Sequence, residues 1–513
     1  MSKDTFYLTT PIYYVNDVPH LGHAYTTVAC DFIARWRRMQ GRPVHFLTGT
    51  DEHGEKVART AAAKGLTPEE WTDEIVPRWT ELWAALDISN DDFIRTTEPR
   101  HEGPVQQFMT ALHQRDQIYL GSYEGLYCVG CEAFKQPDEL VDGNCPLHGV
   151  PPEVVEEDNY FFRLSDYRQR LIDLYESNPR FVMPEARRRE VLGKVRTGLD
   201  DLSISRVSFD WGVPVPWDSK HVIYVWVDAL QNYITAVGYG SDEERFARLW
   251  PASVHMVGKD ILWFHSVIWP AMLMALDLPL PETVFAHGFL QVGGEKMSKS
   301  KLTGISPHDL LPTFSSDGYR YFFVREVSFG QDGSFSWEAM AERYNSDLAN
   351  DFGNLASRSL SMIARYLGGV VPAPPEPSEL TEVDHGLMEK QRAALAGMVE
   401  AIDEYLLHEA LRSCWSFVRG ANAYVEAVTP WGLAKDESRR RRLEVVLYQL
   451  ADSLRLLAVM VAPIAPQAAQ ELWRRLGEQG SVHDRTHSED ARWGLSAEGT
   501  QIISGPPLFP RID

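Results

Sequence analysis

From Phe6 to Tyr14 the residues are aromatic, β-branched or threonine, broken only by Pro11, the pattern of a buried strand running into a turn. The period then changes. Tyr25, Val28, Ala29, Phe32, Ile33 and Trp36 recur at helical spacing, with Gly41 and Pro43 as the stop. Residues 44–48 read as the next strand. Strand, helix and strand in such short order make a βαβ unit, which implies a right-handed crossover, a parallel sheet and ligands outside the carboxyl ends of the strands. The loops at 12–23 and 49–54 are therefore the ones expected to carry chemistry.

Between 117 and 220 this alternation is lost, so the stretch reads as an inserted domain. Strand-like runs return at 221–226, 254–257 and 284–287, and the sheet is expected to be built from two sequence-distant halves. Beyond 342 the pattern is helical almost throughout, with a proline-rich linker at 371–377, and predicts a helical bundle. The expected architecture is α/β: a Rossmann-like parallel sheet over 1–116 and 221–342, an insertion over 117–220 and an all-α domain over 343–513. No internal repeat or coiled-coil heptad run accompanies it.

The 513 residues suffice for several separate cores, and 44% hydrophobic with 24% charged residues is ordinary globular usage. A net charge of −22 confines any binding of polyanions to local patches. Five cysteines are too few for a disulfide-dense secreted chain, and three of them cluster between 128 and 145. No signal-peptide core or long charge-free apolar stretch is read, so a cytoplasmic protein without a membrane partner is expected.

Neither a Walker loop nor a G-x-G-x-x-G follows the first strand. In their place stands Pro19-His20-Leu21-Gly22-His23, two histidines flanking a glycine where helix amides favour anions; taken alone, this turn could equally be capped by solvated histidines. Far downstream, Gly293-Gly294-Glu295-Lys296-Met297-Ser298-Lys299-Ser300-Lys301 makes a cationic loop suited to a polyphosphate, or else a solvated surface loop. In the insertion, Cys128-Val-Gly-Cys131 and Cys145-Pro-Leu-His148 are two knuckles that suit one tetrahedral Zn²⁺ with every position filled, hence structural rather than catalytic. Cys30 and Cys414 read as buried thiols on helices. Arg187–Arg189 and Arg439–Arg442 are basic runs that either meet phosphates or are solvated helix faces. Asn354 and Arg358 share a helical face, and Trp431 follows Pro430 at a helix boundary, so an amide, a guanidinium and a stacking ring are available to an unstacked base.

The paired histidine and lysine motifs resemble the signatures of the class I aminoacyl-tRNA synthetases. Tyr13-Tyr14, Thr48-Gly-Thr-Asp51-Glu-His53-Gly54, Tyr224-Val-Trp226-Val-Asp228-Ala229 and Gly258-Lys-Asp260-Ile-Leu-Trp-Phe264-His265 narrow the resemblance to the methionyl-tRNA synthetase family, over essentially the whole chain. That resemblance implies a methionine–tRNA ligase, which forms methionyl adenylate and pyrophosphate from L-methionine and ATP with Mg²⁺, then acylates initiator and elongator tRNA(Met). It implies catalytic roles for His20, His23, Lys296 and Lys299, with Gly22 joining them around ATP. Asp51 would take the methionine ammonium, and Ile12, Tyr14, Trp226, Ala229, Tyr233, Phe264 and His265 the rest of the amino acid; the lesser alternatives are a helix cap for Asp51 and plain core for the aromatics. Asn354, Arg358 and Trp431 would contact a CAU anticodon, the insertion would hold one zinc per chain, and a monomer is expected. Two departures are visible. Leu230 stands where many relatives have proline, and His148 where many have a fourth cysteine. The competing readings are a nonenzymatic zinc-containing tRNA-binding relative, which should have lost motif residues, and a synthetase for another apolar amino acid, for which an editing insertion would be larger.

Overall fold

The computed structural model describes residues 5–512 apart from 132, 136 and 293–305. It divides into two compact units: residues 1–19, 44–81 and 90–287 form one, and 20–43, 82–89 and 288–513 the other.

The first unit is organised by a six-stranded parallel sheet in the order Asp92–Arg95, Val44–Asp51, Phe6–Tyr14, Val254–Gly258, Val284–His287, Val182–Met183. The central strands are buried on both faces, which is why their sequences are apolar runs without alternation. Pairing of the first two strands slips between Thr9 and Ile12, where Thr9 faces Leu47 and Ile12 faces Gly49. Pro11 lies in that slip; it lacks the N–H a regular ladder needs, and the bulge re-aims the strand end at Ile12.

Two features depart from the sequence reading. The run at 221–226 does not enter this sheet: strand Asp218–Ile223 pairs antiparallel with Ser205–Arg206 and Pro214–Val215, and Val225–Leu230 is a helix. A short apolar β-branched run does not distinguish these fates. Conversely, the expected insertion lends Val182–Met183 to the edge of the main sheet, between helices Arg168–Ser177 and Glu185–Thr197. The remainder of that stretch contains the antiparallel sheet of Ala133–Lys135, Ile118–Cys128, Glu153–Phe162 and Leu202–Ser203.

The second unit contains the helix Leu21–Met39 and the helices that follow the main sheet, among them Pro307–Glu326, Asn354–Leu367, Glu382–Asp403, Leu407–Val428 and Arg440–Val461. Every residue from Val445 to Val461 is buried, so this last helix is the axis of the bundle rather than a surface element. Asp31, at the middle of Leu21–Met39, meets Arg320 at 2.6 Å and Arg35 at 2.7 Å, and both Asp31 and Arg320 are fully buried. Arg320 also donates to the carbonyls of Leu86, Pro463 and Ile464. Three of the four arginines at 439–442 are engaged within the bundle, Arg440 with Glu444, Arg441 with Glu379 and Arg442 with Asp384. Cys30 and Cys414 are buried on their helices, as expected. Among the described residues no helix is long and apolar enough to cross a membrane.

Candidate active site, metal centre and anticodon face

In the second unit, His20 is the N-cap of helix Leu21–Met39: its Nδ1 accepts the Gly22 N–H at 3.0 Å, and His23 Nδ1 accepts the His20 N–H at 3.2 Å. This is a reciprocal cap built from imidazoles, the rings stacked with centroids 3.6 Å apart. Because each Nδ1 accepts a hydrogen bond, each neutral ring carries its proton on Nε2. Burial, and His20 beside it, hold His23 well below the ordinary histidine range, so it stays neutral. The turn thus offers imidazole N–H donors at the positive end of a helix.

In the first unit, Pro11, Ile12, Asp51, Trp226, Ala229, Leu230, Asn232, Tyr233 and His265 line one narrow cavity. The strand bulge supplies Pro11 and Ile12, the end of strand Val44–Asp51 supplies the carboxylate, and helices Val225–Leu230 and Asn232–Thr235 supply the opposite wall. His265 Nδ1 lies 2.9 Å from the Ile261 carbonyl, so it donates there, and its Nε2 accepts from Tyr233 Oη at 2.7 Å. Burial pushes His265 down to about 4, consistent with this neutral arrangement. Of the other residues expected here, Phe264 stacks on Trp226 with centroids 4.0 Å apart, and Tyr14 turns its hydroxyl to the His53 carbonyl at 2.8 Å. One acid among apolar and aromatic surface can take a small amino acid with an uncharged, polarizable side chain. Sequence reasoning missed Pro11, Leu230 and Asn232 as lining residues, each beside one it did name. Lys296 and Lys299 lie outside the described residues.

The metal-type cluster is assembled as the spacing predicts. Cys128, Cys131, Cys145 and His148 bring their ligand atoms within 4.8 Å of one another. His148 Nδ1 lies 3.3 Å from Cys131 Sγ and 3.7 Å from both Cys128 and Cys145, with Cys131 and Cys145 3.6 Å apart. A tetrahedron with Zn–S near 2.3 Å has edges of about 3.6–3.8 Å, so the donor set and its dimensions fit zinc. Each knuckle is a turn: Cys131 N–H donates to Cys128 O, and the N–H groups of His148 and Gly149 to Cys145 O. Gly130 is required here because a Cβ would stand 2.6 Å from the His148 ring. The chain enters the second knuckle through Val141-Asp142-Gly143-Asn144, with positive φ at Asp142 and Gly143, a primed hairpin turn.

In the bundle, Asn354 and Arg358 occupy successive turns of helix Asn354–Leu367, and Trp431 the second residue of helix Pro430–Leu433. The Arg358 guanidinium stands 5.8 Å from the Trp431 ring centroid and pairs with Glu426 at 2.7 Å. Trp431 is 37% exposed, which excludes the reading as a core residue. The structure therefore brings Arg358 and Trp431 together on an accessible face, with exposed Asn354 one turn away.

A parallel sheet carrying an amino-acid-sized pocket, a histidine cap on the helix after the first strand, a cysteine–histidine knuckle pair and a C-terminal helical domain define a class I tRNA synthetase. The family model described as tRNA synthetases class I (M) matches residues 6–150 and 130–360, and that of the anticodon-binding domain of tRNA ligases matches 384–502. A methionine–tRNA ligase from Streptomyces coelicolor is 52% identical, covering 99% of this chain and 97% of its own length. One from Caldanaerobacter subterraneus is 50% identical over all of this chain and 79% of its own. The solved Mycobacterium tuberculosis methionyl-tRNA synthetase in complex with methionyl-adenylate superposes with a TM-score of 0.94 at 43% identity, covering 99% of this chain and all of that one. The chain belongs to the methionine–tRNA ligase family.

Proposed function

We propose that this chain carries out the family reaction with the residues assembled above. It activates L-methionine with ATP to methionyl adenylate and diphosphate, then charges tRNA; within that function the tRNA is tRNA(Met), initiator and elongator, read through its CAU anticodon. The observation that carries the assignment of the amino acid is the cavity with a single carboxylate, Asp51, facing Trp226, Ala229, Tyr233 and His265. Asp51 holds the ammonium, which leaves the methionine carboxylate as nucleophile, while the aromatic and apolar wall takes the thioether.

Attack on the α-phosphate spreads negative charge over the transferring and leaving oxygens. The Nε2–H groups of His20 and His23 donate to that charge, Gly22 lets the nucleotide approach the turn, and Lys296 and Lys299 neutralise the leaving diphosphate, which reaches the site with Mg²⁺. No covalent enzyme intermediate is needed, so the absence of a nucleophilic serine or cysteine in the pocket is no objection. Cys128, Cys131, Cys145 and His148 hold one Zn²⁺, which when bound ties the two knuckles together and has no open position for chemistry. Asn354, Arg358 and Trp431 read the anticodon by hydrogen bonding and stacking.

By function the chain divides into catalytic halves at 1–116 and 221–342, a zinc-binding insertion at 117–220 that lends one strand to the main sheet, and an anticodon domain at 343–513. The chain works as a monomer in the cytoplasm, and a reducing compartment is in keeping with five cysteines outside any disulfide, three in the metal cluster and Cys30 and Cys414 buried on helices. ATP–pyrophosphate exchange across the twenty amino acids tests the assignment. Methionine alone is expected to support strong exchange; comparable exchange with isoleucine, valine or leucine overturns it.

A further inference from the structure

Asp51 is flanked by two buried residues, each held in a charge pair. Glu52, fully buried, meets Arg95 Nε at 2.8 Å and Nη2 at 2.9 Å, and accepts from Thr50 and Thr97. His53, 3% exposed, places Nδ1 2.7 Å from Asp228 Oδ2 and Nε2 3.6 Å from Glu102. Asp228 is fully buried and sits on helix Val225–Leu230 between the pocket residues Trp226 and Ala229. Its second oxygen lies 2.9 Å from His101 Nε2, whose Nδ1 lies 2.8 Å from Thr235 Oγ1.

The backbone around His53 is held as firmly as its ring. Tyr14 donates to its carbonyl, the Trp211 indole donates to the Glu52 carbonyl at 2.6 Å, and the Gly54 N–H donates to the Trp211 carbonyl at 3.1 Å. Burial works against a charged His53, but Asp228, Glu102 and Asp51 outweigh it and raise its pKa to about 10; burial is likewise outweighed at Asp228, which His53 and His101 hold at about 2. An ion pair out of water in this way is a fixed-geometry joint, because removing one partner leaves an uncompensated buried charge.

We propose that His53 and Asp228 are positioning residues for methionine: their ion pair clamps the Asp51-bearing loop to helix Val225–Leu230 and so fixes the distance between the carboxylate that takes the ammonium and the wall that takes the side chain. A bound methionine has to touch both walls at once. The first comes from the sheet and the second from a short helix of six residues, and the pair is a direct side-chain link between them. His101 and Thr235 steady Asp228 from behind, and Glu102 holds the outer edge of the His53 ring.

The inference rests on Asp51 as the ammonium site, so Asp51→Asn is measured alongside. The variants His53→Gln, Asp228→Asn, both together, and Glu102→Gln are compared in pyrophosphate exchange, with melting temperatures. His53→Gln and Asp228→Asn are each expected to raise KM for methionine by about 10-fold or more while kcat and KM for ATP stay within about threefold, because uniform binding is lost rather than transition-state contacts. The double variant is expected to be no worse than the worse single one, the sign of a shared interaction. Glu102→Gln, at a side chain 44% exposed, is expected to leave the melting temperature unchanged and to raise KM for methionine by about two- to fivefold. A methionine KM unchanged in Glu102→Gln and in whichever of the buried variants folds overturns the clamp, as does a parallel loss of kcat and both KM values with the melting temperature. An unaffected Asp51→Asn instead overturns the pocket assignment itself.

Discussion

At Trp431 the ring is 37% exposed, so its removal opens no core cavity and its effect belongs to what the ring touches from outside. Trp431→Ala is expected to leave methionine-dependent pyrophosphate exchange and the melting temperature nearly unchanged, since no tRNA takes part in activation. Stacking of one base is worth about 1–3 kcal/mol, so kcat/KM for tRNA should fall by about 5- to 150-fold, with weakened discrimination against altered anticodons. Aminoacylation of tRNAs with CAU and mutated anticodons by the same variant measures this, and an unchanged preference removes Trp431 from the recognition set. Gly130 is the opposite case, a position with no side chain that decides where another one sits. A methyl group there would stand 2.6 Å from the His148 ring, so Gly130→Ala should push the fourth ligand out and leave less than one zinc per chain by elemental analysis. Full zinc in that variant would mean that the knuckle yields without losing His148. The knuckles were legible because their ligands are close in sequence. The partnership of His53 with Asp228 was not, because 175 positions separate the two and only burial reveals why a charged pair is there.

Helix Leu21–Met39 and the strands around it were readable from period alone, since a helix buried along most of its length and strands buried on both faces have distinct patterns. Strand Val182–Met183 has two residues, too few to show any period, and only its parallel partner Val284–His287 makes it a strand. The run at 221–226 failed for another reason: its residues suit a strand throughout, yet the backbone turns helical at Val225, where the pocket needs Trp226 and Ala229 on one wall. Pattern likewise gives no hint of what holds Leu21–Met39 in place. Asp31 and Arg320 do so from a fully buried position, with Asp31 held at about 2: burial alone would raise it, and Arg320 and Arg35 outweigh that. Arg320→Met keeps the stem and removes the charge, taking a donor from Asp31 and from the carbonyls of Leu86, Asp87, Pro463 and Ile464. The expected loss is about 3–5 kcal/mol of unfolding free energy, read from urea titration. The N–H and hydroxyl of Ser89 also donate to Asp31, each at 2.6 Å, so a change below about 1 kcal/mol would mean that Arg35 and Ser89 satisfy Asp31 unaided.

The stability of the molecule also answers to pH, through buried groups both in the pocket and away from it. Burial pushes both His265 and His487 down to about 4 from an ordinary 6.5. The unfolded chain takes up these protons near pH 6.5 and the folded chain only near 4, so each histidine leaves stability untouched above 6.5 and lowers it as the pH falls toward 4. Asp317 works in the opposite sense: burial pushes it up to about 6, so the folded chain gains its proton before the unfolded one does and stability is added between 6 and 3.8. Comparing one variant with the parent isolates a single group from this balance. His487→Leu is expected to gain about 2 kcal/mol relative to the parent between pH 7 and pH 4.5, measured by urea unfolding at both values. A difference independent of pH would mean that His487 takes up its proton at the same pH in the folded and unfolded chain. Within the second unit, the long axial helix Arg440–Val461 has no solvent-facing side from Val445 onward. Its amide hydrogens have no local opening through which to reach water, so they should exchange with deuterium only when the unit unfolds as a whole. The slowest amides in this helix therefore give a direct reading of the bundle's global unfolding free energy in the native protein, and anything that binds the folded bundle, tRNA included, should slow them by the full factor of its own occupancy.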